Sequence, residues 1–271
     1  MTDTSQPETQ ASRDPDKPHL GAAAWLASLD QKSDTQINAA KRLDEAYAAE
    51  DWDAALAAAS DLIDAGPGEA HPYLLRGMVY VQQTKMDEAL ADYSKAIEMQ
   101  PDLVDAYVQR GRARYGIEDT DGSIADFKHA IKLNPQHAPA YLERGYAFFS
   151  KGELDAALSD FKNYTRLAPD DPIGLNNQAF LLMWMGRTSA AEATWSKATR
   201  LPNTPHWAHA GHAIALYRMK KRRQAIEQYR KAVEAEPRWR DKVEEVAEEY
   251  SWPQGMVDAA KEIVARLDSS E

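Results

Sequence analysis

The chain has 271 residues, 44% of them hydrophobic, and its 32 basic and 43 acidic side chains give a formal charge of -11. That balance lacks the basic face a general nucleic-acid binder needs to displace phosphate counterions, and it disfavours anionic membrane surfaces. The absence of cysteine excludes disulfides, thiolate metal sites and a cysteine nucleophile.

Residues 1–35 are expected to form a mostly disordered tail, rich in Asp, Ser, Thr, Gln and Pro. Within it, residues 20–30 can form a short helix with Trp25, Leu26 and Leu29 on one side. Asp14, Asp16 and Lys17 precede this stretch in place of a positive n-region, so it does not read as a signal peptide. The longest strongly apolar run, residues 179–185, is far short of the about 20 residues that span a bilayer. A soluble cytoplasmic protein with no membrane or nucleic-acid partner is expected.

From residue 36 the pattern is helical and repetitive. Tyr73, Leu74, Leu75, Arg76 and Gly77 recur as Tyr107, Val108, Gln109, Arg110 and Gly111, and at the same spacing again as Tyr141, Leu142, Glu143, Arg144 and Gly145. An aromatic follows each copy at a fixed offset (Tyr93, Phe127, Phe161), and then a proline (Pro101, Pro135, Pro169). Each repeat reads as two helices of about 13 residues around a short polar turn. The turns fall at Glu50 and Asp51, Thr84 and Lys85, Asp119 to Asp121, Lys151 and Gly152, Gly186 and Arg187, and Lys220 and Lys221. Pro67, Pro202 and Pro237 extend the series of closing prolines, since proline ends one helix and suits the start of the next. A repeat of this length means stacked hairpins, each too small to bury its own apolar face.

These motifs resemble the tetratricopeptide repeat. The match is strongest over residues 70–103 (Tyr73, Gly77, Tyr80, Ala89, Tyr93, Ala96, Pro101), 104–137 (Tyr107, Gly111, Phe127, Ala130, Pro135) and 138–171 (Tyr141, Gly145, Phe148, Ala157, Phe161, Pro169). Residues 206–237 carry Ala213, Leu216, Ala225, Tyr229, Ala232 and Pro237 at the same places, residues 172–205 are a looser copy, residues 36–69 keep only Ala55 and Pro67, and residues 238–271 read as a degenerate repeat or C-terminal cap. The resemblance implies an all-α solenoid, a right-handed superhelix of six helix-turn-helix repeats closed by a capping helix pair. Small residues such as Gly77, Gly111, Gly145, Ala89 and Ala157 would let helices approach, and Tyr93, Phe127, Phe161, Trp195 and Tyr229 would fill the space between hairpins.

In that family the second, fifth, ninth and twelfth positions of each first helix line a concave groove. Those positions hold Leu74, Met78 and Val81; Val108, Arg112 and Tyr115; Leu142, Tyr146 and Phe149; Asn176, Phe180 and Met183; and Trp207, Ile214 and Tyr217, with Trp184 beside them. An apolar, aromatic strip of this kind marks either a partner-binding groove or an internally buried seam. The Lys, Arg and Asn clamp by which some relatives hold a C-terminal carboxylate is missing, as is the asparagine ladder of sugar-transferase relatives. The resemblance therefore implies a non-catalytic scaffold or adaptor that binds a protein or peptide, without a cofactor. A chaperone masking an apolar client, or a structural protein pairing through Trp239, Trp252, Met256, Ile263 and Leu267 at the solenoid ends, are the alternatives. The helix over residues 20–30 would cap the first repeat or dock in the groove.

Other motifs carry less. His206, His209 and His212 drift by about 60° per step around a helix and do not converge on one ion. Arg218, Lys220, Lys221, Arg222 and Arg223 form the one dense basic run, on a turn, and suit solvent or an acidic partner segment. Asp119 to Gly122 lacks the full spacing of a calcium loop and fits a helix cap instead. No phosphate loop, nucleophile elbow or metalloprotease helix is present, so no enzyme is expected.

Overall fold

The computed structural model describes residues 22–28, 32–202 and 204–267. Of the tail expected to be mostly disordered, residues 1–35, residues 1–21 and 29–31 lie outside that range. Two compact units divide between Ala147 and Phe148, within one helix. Every regular element among the described residues is an α-helix.

The N-terminal unit contains α1 (Ala22–Ala27), α2 (Asp34–Ala48), α3 (Trp52–Ala65), α4 (His71–Gln82), α5 (Met86–Met99), α6 (Val104–Gly116) and α7 (Thr120–Leu133), and most of α8 (Ala138–Ser150). Helices α2 and α3, α4 and α5, and α6 and α7 pack as pairs, and α3 meets α4 as α5 meets α6. This is the all-α, solenoid-type series that a repeated helical hairpin dictates.

Local chemistry starts these helices. Ser33 and Gln36 form a reciprocal capping box: the Ser33 hydroxyl accepts from the Gln36 amide at 3.2 Å, and the Gln36 side-chain oxygen accepts from the Ser33 amide at 2.9 Å. Asp51 caps α3 and Asp119 caps α7, each accepting a backbone N–H at 3.0 Å. The cap reading of Asp119 therefore holds.

The turn inside each hairpin carries one left-handed residue: Glu50, Thr84, Glu118, Gly152, Gly186 and Lys220, with φ of 58, 58, 66, 74, 73 and 63°. They recur at the constant spacing of the sequence motif, so the repeat extends to the backbone conformation. Only two are glycine, and Thr84 is β-branched, the residue type least suited to this region. Thr84→Gly should raise stability by about 0.5–1 kcal/mol, the relieved strain less the added chain entropy. An unchanged urea midpoint would mean that the hydrogen bond from Thr84 Oγ1 to the Gln83 carbonyl, 2.6 Å, already offsets the strain.

Packing within hairpins depends on glycine facing an aromatic ring. A Cβ on Gly77 would lie 2.5 Å from the Tyr93 ring, and one on Gly111 would lie 2.6 Å from Phe127. Both rings are almost completely buried. An ion pair braces the same helices: Arg76 holds Asp92 through two bonds of 2.7 and 2.8 Å, and Arg110 holds Asp126 at 2.9 and 2.7 Å.

The C-terminal unit holds the end of α8 and then α9 (Leu154–Leu167), α10 (Pro172–Trp184), α11 (Thr188–Ala198), α12 (His206–Arg218) and α13 (Arg222–Ala235). It closes with α14 (Arg238–Asp241), α15 (Val243–Glu249) and α16 (Gln254–Val264). Each helix from α9 to α13 packs on the next, and α16 folds back onto α12 and α13. Trp195 is buried between α10 and α12: its Nε1 donates to Asn176 Oδ1 at 3.0 Å, and a Cβ on Gly211 would lie 2.6 Å from its ring.

The cap has its own aromatic core. Trp239 is fully buried against Tyr229, Tyr250 and Trp252, and its Nε1 donates to His206 Nδ1 at 2.8 Å. Burial pushes the His206 pKa below its ordinary value, which keeps the ring neutral and Nδ1 free to accept that bond. Trp239, Met256, Ile263 and Leu267 are all buried here. The residues proposed from sequence to join solenoid ends are thus used, four of five, inside the cap itself; only Trp252 retains partial exposure.

Candidate partner-binding surface

The sixteen residues singled out from sequence separate by burial. In the N-terminal unit Leu74 and Val108 belong to the core, at 3% and 2% exposure. Met78 and Val81 pack partly into the hydrophobic clusters between repeats, and Tyr115, Leu142 and Tyr146 are half-buried. Arg112 is not a free cation: its Nε and a terminal nitrogen donate to the buried Glu143 carboxylate at 2.9 and 2.8 Å.

Helix α1 lies on the same side of this unit. The Ala22 amide donates to Asp44 Oδ1 at 3.0 Å, and the Trp25 ring stacks on His71 at 5.1 Å with the planes 2° apart. Asp44 is the ninth position of its repeat and His71 the second, both groove positions in the expected frame. The short helix buries Ala22 in the core of the first repeat and covers those two positions.

In the C-terminal unit, Met183 and Ile214 are buried, Asn176 is engaged by Trp195, and Trp207 packs against Leu175, Ala198 and Ala208. Tyr217 hydrogen-bonds Glu262 of α16, and Arg266 lies 5.8 Å over its ring. What stays open is aromatic. Phe149, Phe180 and Trp184 form a three-ring cluster: Phe149 meets Phe180 at 6.3 Å and Trp184 at 5.8 Å edge-on, and Phe180 stacks on Trp184 at 6.5 Å. Trp184 is 55% exposed, the most exposed large hydrophobic residue among those described.

Beside the rings is a cavity of about 190 Å³, lined by Phe180, Met183, Trp184, Arg218, Pro253, Gly255 and Met256. Its far wall comes from α16 and the segment just before it. Repeat spacing identifies Phe180 and Met183, with Trp184 beside them; nothing in the periodicity brings Pro253, Gly255 and Met256 to them. Arg218 was visible as the first member of the basic run, though its place at a cavity was not.

The three histidines are occupied separately. His206 serves the cap, His209 Nδ1 lies 3.1 Å from Gln228 Oε1, and His212 Nε2 lies 3.4 Å from Glu192. Burial lowers the His212 pKa. Among the described residues no group of three or more His, Cys, Asp or Glu is placed to hold a metal ion, and no helix is long and apolar enough to cross a membrane.

A tetratricopeptide-repeat family model matches residues 108–172, and a TPR-repeat model matches residues 77–117. No curated protein sequence matches the chain. Among solved structures, the C-terminal part of a TPR repeat-containing protein from Cytophaga hutchinsonii is similar with a TM-score of 0.63 at 16% identity, over 85% of this chain and 96% of that one. MamA from Desulfovibrio magneticus, from residue 41 to its end, gives 0.56 at 14% identity, over 63% and 97%. YrrB, described as a TPR protein with an unusual peptide-binding site, gives 0.54 at 18% identity, over 66% and 92%. The two family models identify tetratricopeptide repeats within residues 77–172, and the repeated glycine–aromatic contacts, the evenly spaced left-handed turns and the similar solved structures show that the chain has the tetratricopeptide-repeat fold.

Proposed function

We propose that the chain is a non-catalytic interaction scaffold or adaptor of the cytoplasm, and that the C-terminal unit holds a partner protein segment against Phe149, Phe180 and Trp184. The observation that carries this is Trp184. A tryptophan at 55% exposure, backed by two further rings and an open apolar cavity, is a costly surface to leave in water unless something covers it. Tryptophan in that setting is the residue type that dominates interface energy. The rings are held by one another and by rigid helices, so little freedom is lost on binding. The peptide-binding site described for YrrB is in keeping with this use of the fold.

Capture from the source organism's lysate tests it, with the full chain and its Trp184→Ala variant as baits. Truncating an exposed ring should leave helicity unchanged and weaken a discrete partner by at least about tenfold, roughly 1.4 kcal/mol. The same captured set on both baits, or none on either, would refute this surface as the functional site.

A further inference from the structure

The aromatic surface borders a set of unpaired cations. Arg218, at the end of α12, forms part of the cavity wall, and Lys220, Lys221, Arg222 and Arg223 follow on the turn and the start of α13. All five are exposed. None makes an ion pair or side-chain hydrogen bond among the described residues. Elsewhere arginines find carboxylates readily in this acidic chain: Arg76, Arg110, Arg112 and Arg238 all do. Five neighbouring cations left without partners, in a chain of net charge -11, form a local reversal of sign beside an apolar cavity.

The cavity's shape agrees with this. Its other walls, apart from Gly255, are the side chains of Phe180, Met183, Trp184, Pro253 and Met256, with Met183 and Met256 buried. An apolar cavity of about 150 Å³ admits a benzene ring, so one of about 190 Å³ admits the side chain of Leu or Phe. Methionine walls adapt to either. A Cβ on Gly255 would lie only 3.1 Å from a terminal nitrogen of Arg218, so the glycine lets the guanidinium rest at the cavity wall. The charge and the apolar space are thus adjacent.

We infer that this site takes an acidic protein segment: one large apolar side chain enters the cavity, a neighbouring carboxylate pairs with Arg218, and further acidic residues lie along residues 220–223. The inference rests on the proposed binding surface and adds the chemistry of what it binds. An arginine fork suits a carboxylate in two-bond geometry, and lysines beyond it add attraction that weakens with salt. The overall acidity of the chain repels such a segment from other surfaces, which confines it to this one.

The test presents the immobilised full chain with synthetic peptide libraries centred on Leu, Phe or Trp and flanked by Asp and Glu, by Lys and Arg, or by Ser and Gln. A fourth library has acidic flanks and a central Ser. The acidic, apolar-centred library should be retained about tenfold or more over the other three, and less as salt rises. Arg218→Glu should abolish the preference. Gly255→Leu, which adds bulk at an exposed position of the wall, should reduce retention with the circular dichroism unchanged. Equal retention of the neutral apolar library, lost in Trp184→Ala but not in Arg218→Glu, would overturn the acidic assignment and leave the binding surface standing. Retention of an oligo-dT probe in place of the peptides, or of no library at all, would also overturn the assignment; the lysate capture then judges the surface separately.

Discussion

Trp195→Ala is expected to destabilise the C-terminal unit by about 3–5 kcal/mol, the cost of truncating a fully buried tryptophan. The side chain is 1% exposed and leaves a void that three helices border. On one side its Nε1 donates to Asn176 of α10; on the other its ring lies on Gly211 of α12, where no Cβ could fit. A backbone kept open by glycine cannot close over the void by a rotamer change, so collapse is poor and the cost falls at the upper end. Trp195→Phe separates packing from hydrogen bonding: it keeps most of the ring and leaves Asn176 without its donor, for about 1 kcal/mol. Stability in a stack is a sum of repeat and neighbour-interface contributions. The alanine variant should therefore broaden the urea transition as well as shift it, with loss beginning at α10 to α12 in hydrogen exchange. A loss below about 1 kcal/mol would show that α10 and α12 hold together without the ring.

Asp126→Ala should cost about 3 kcal/mol, and more than Asp92→Ala, because removing one partner of a buried pair leaves an uncompensated charge, typically worth about 3–5 kcal/mol. Asp126 is 3% exposed and accepts from two guanidiniums: Arg110 through two bonds, and Arg114 at 2.9 Å. Among the described residues Asp92 serves Arg76 alone. Here Arg110 and Arg114 are 16% and 29% exposed and regain some water, which places the expectation at the lower end. Asp126→Asn keeps the shape, loses the charge and should fall between wild type and alanine. Equal costs for Asp92→Ala and Asp126→Ala in chemical denaturation would show that Arg114 contributes nothing.

Both cases mark the limit of reading residues singly. Arg76 and Arg110 stand one repeat apart, as do Asp92 and Asp126, so the periodicity was present in the sequence. That each arginine reaches the aspartate 16 residues on follows only when the two helices of a hairpin lie side by side. Asn176 shows the same limit. Its position assigns it to a groove, yet its side-chain oxygen is taken by Trp195, which the same frame assigns to the core.

What the sequence determined by itself was the local structure of each repeat. Helix period, the cap at Asp119 and the polar turns all come from residues within a few positions of one another. Local sterics and binary pattern suffice for these. What only the tertiary structure decided was which face positions remain open. Leu74, Val108, Met183 and Ile214 share their repeat positions with accessible neighbours and are nevertheless buried, because side-chain direction and the helices packed around them set their depth. The cavity wall is completed by α16, whose return onto α12 joins Tyr217 to Glu262 across 45 residues. That return lies outside the repeat frame: α16 buries Met256 and Ile263, and the ends of a stack must find such cover from residues the repeat does not specify.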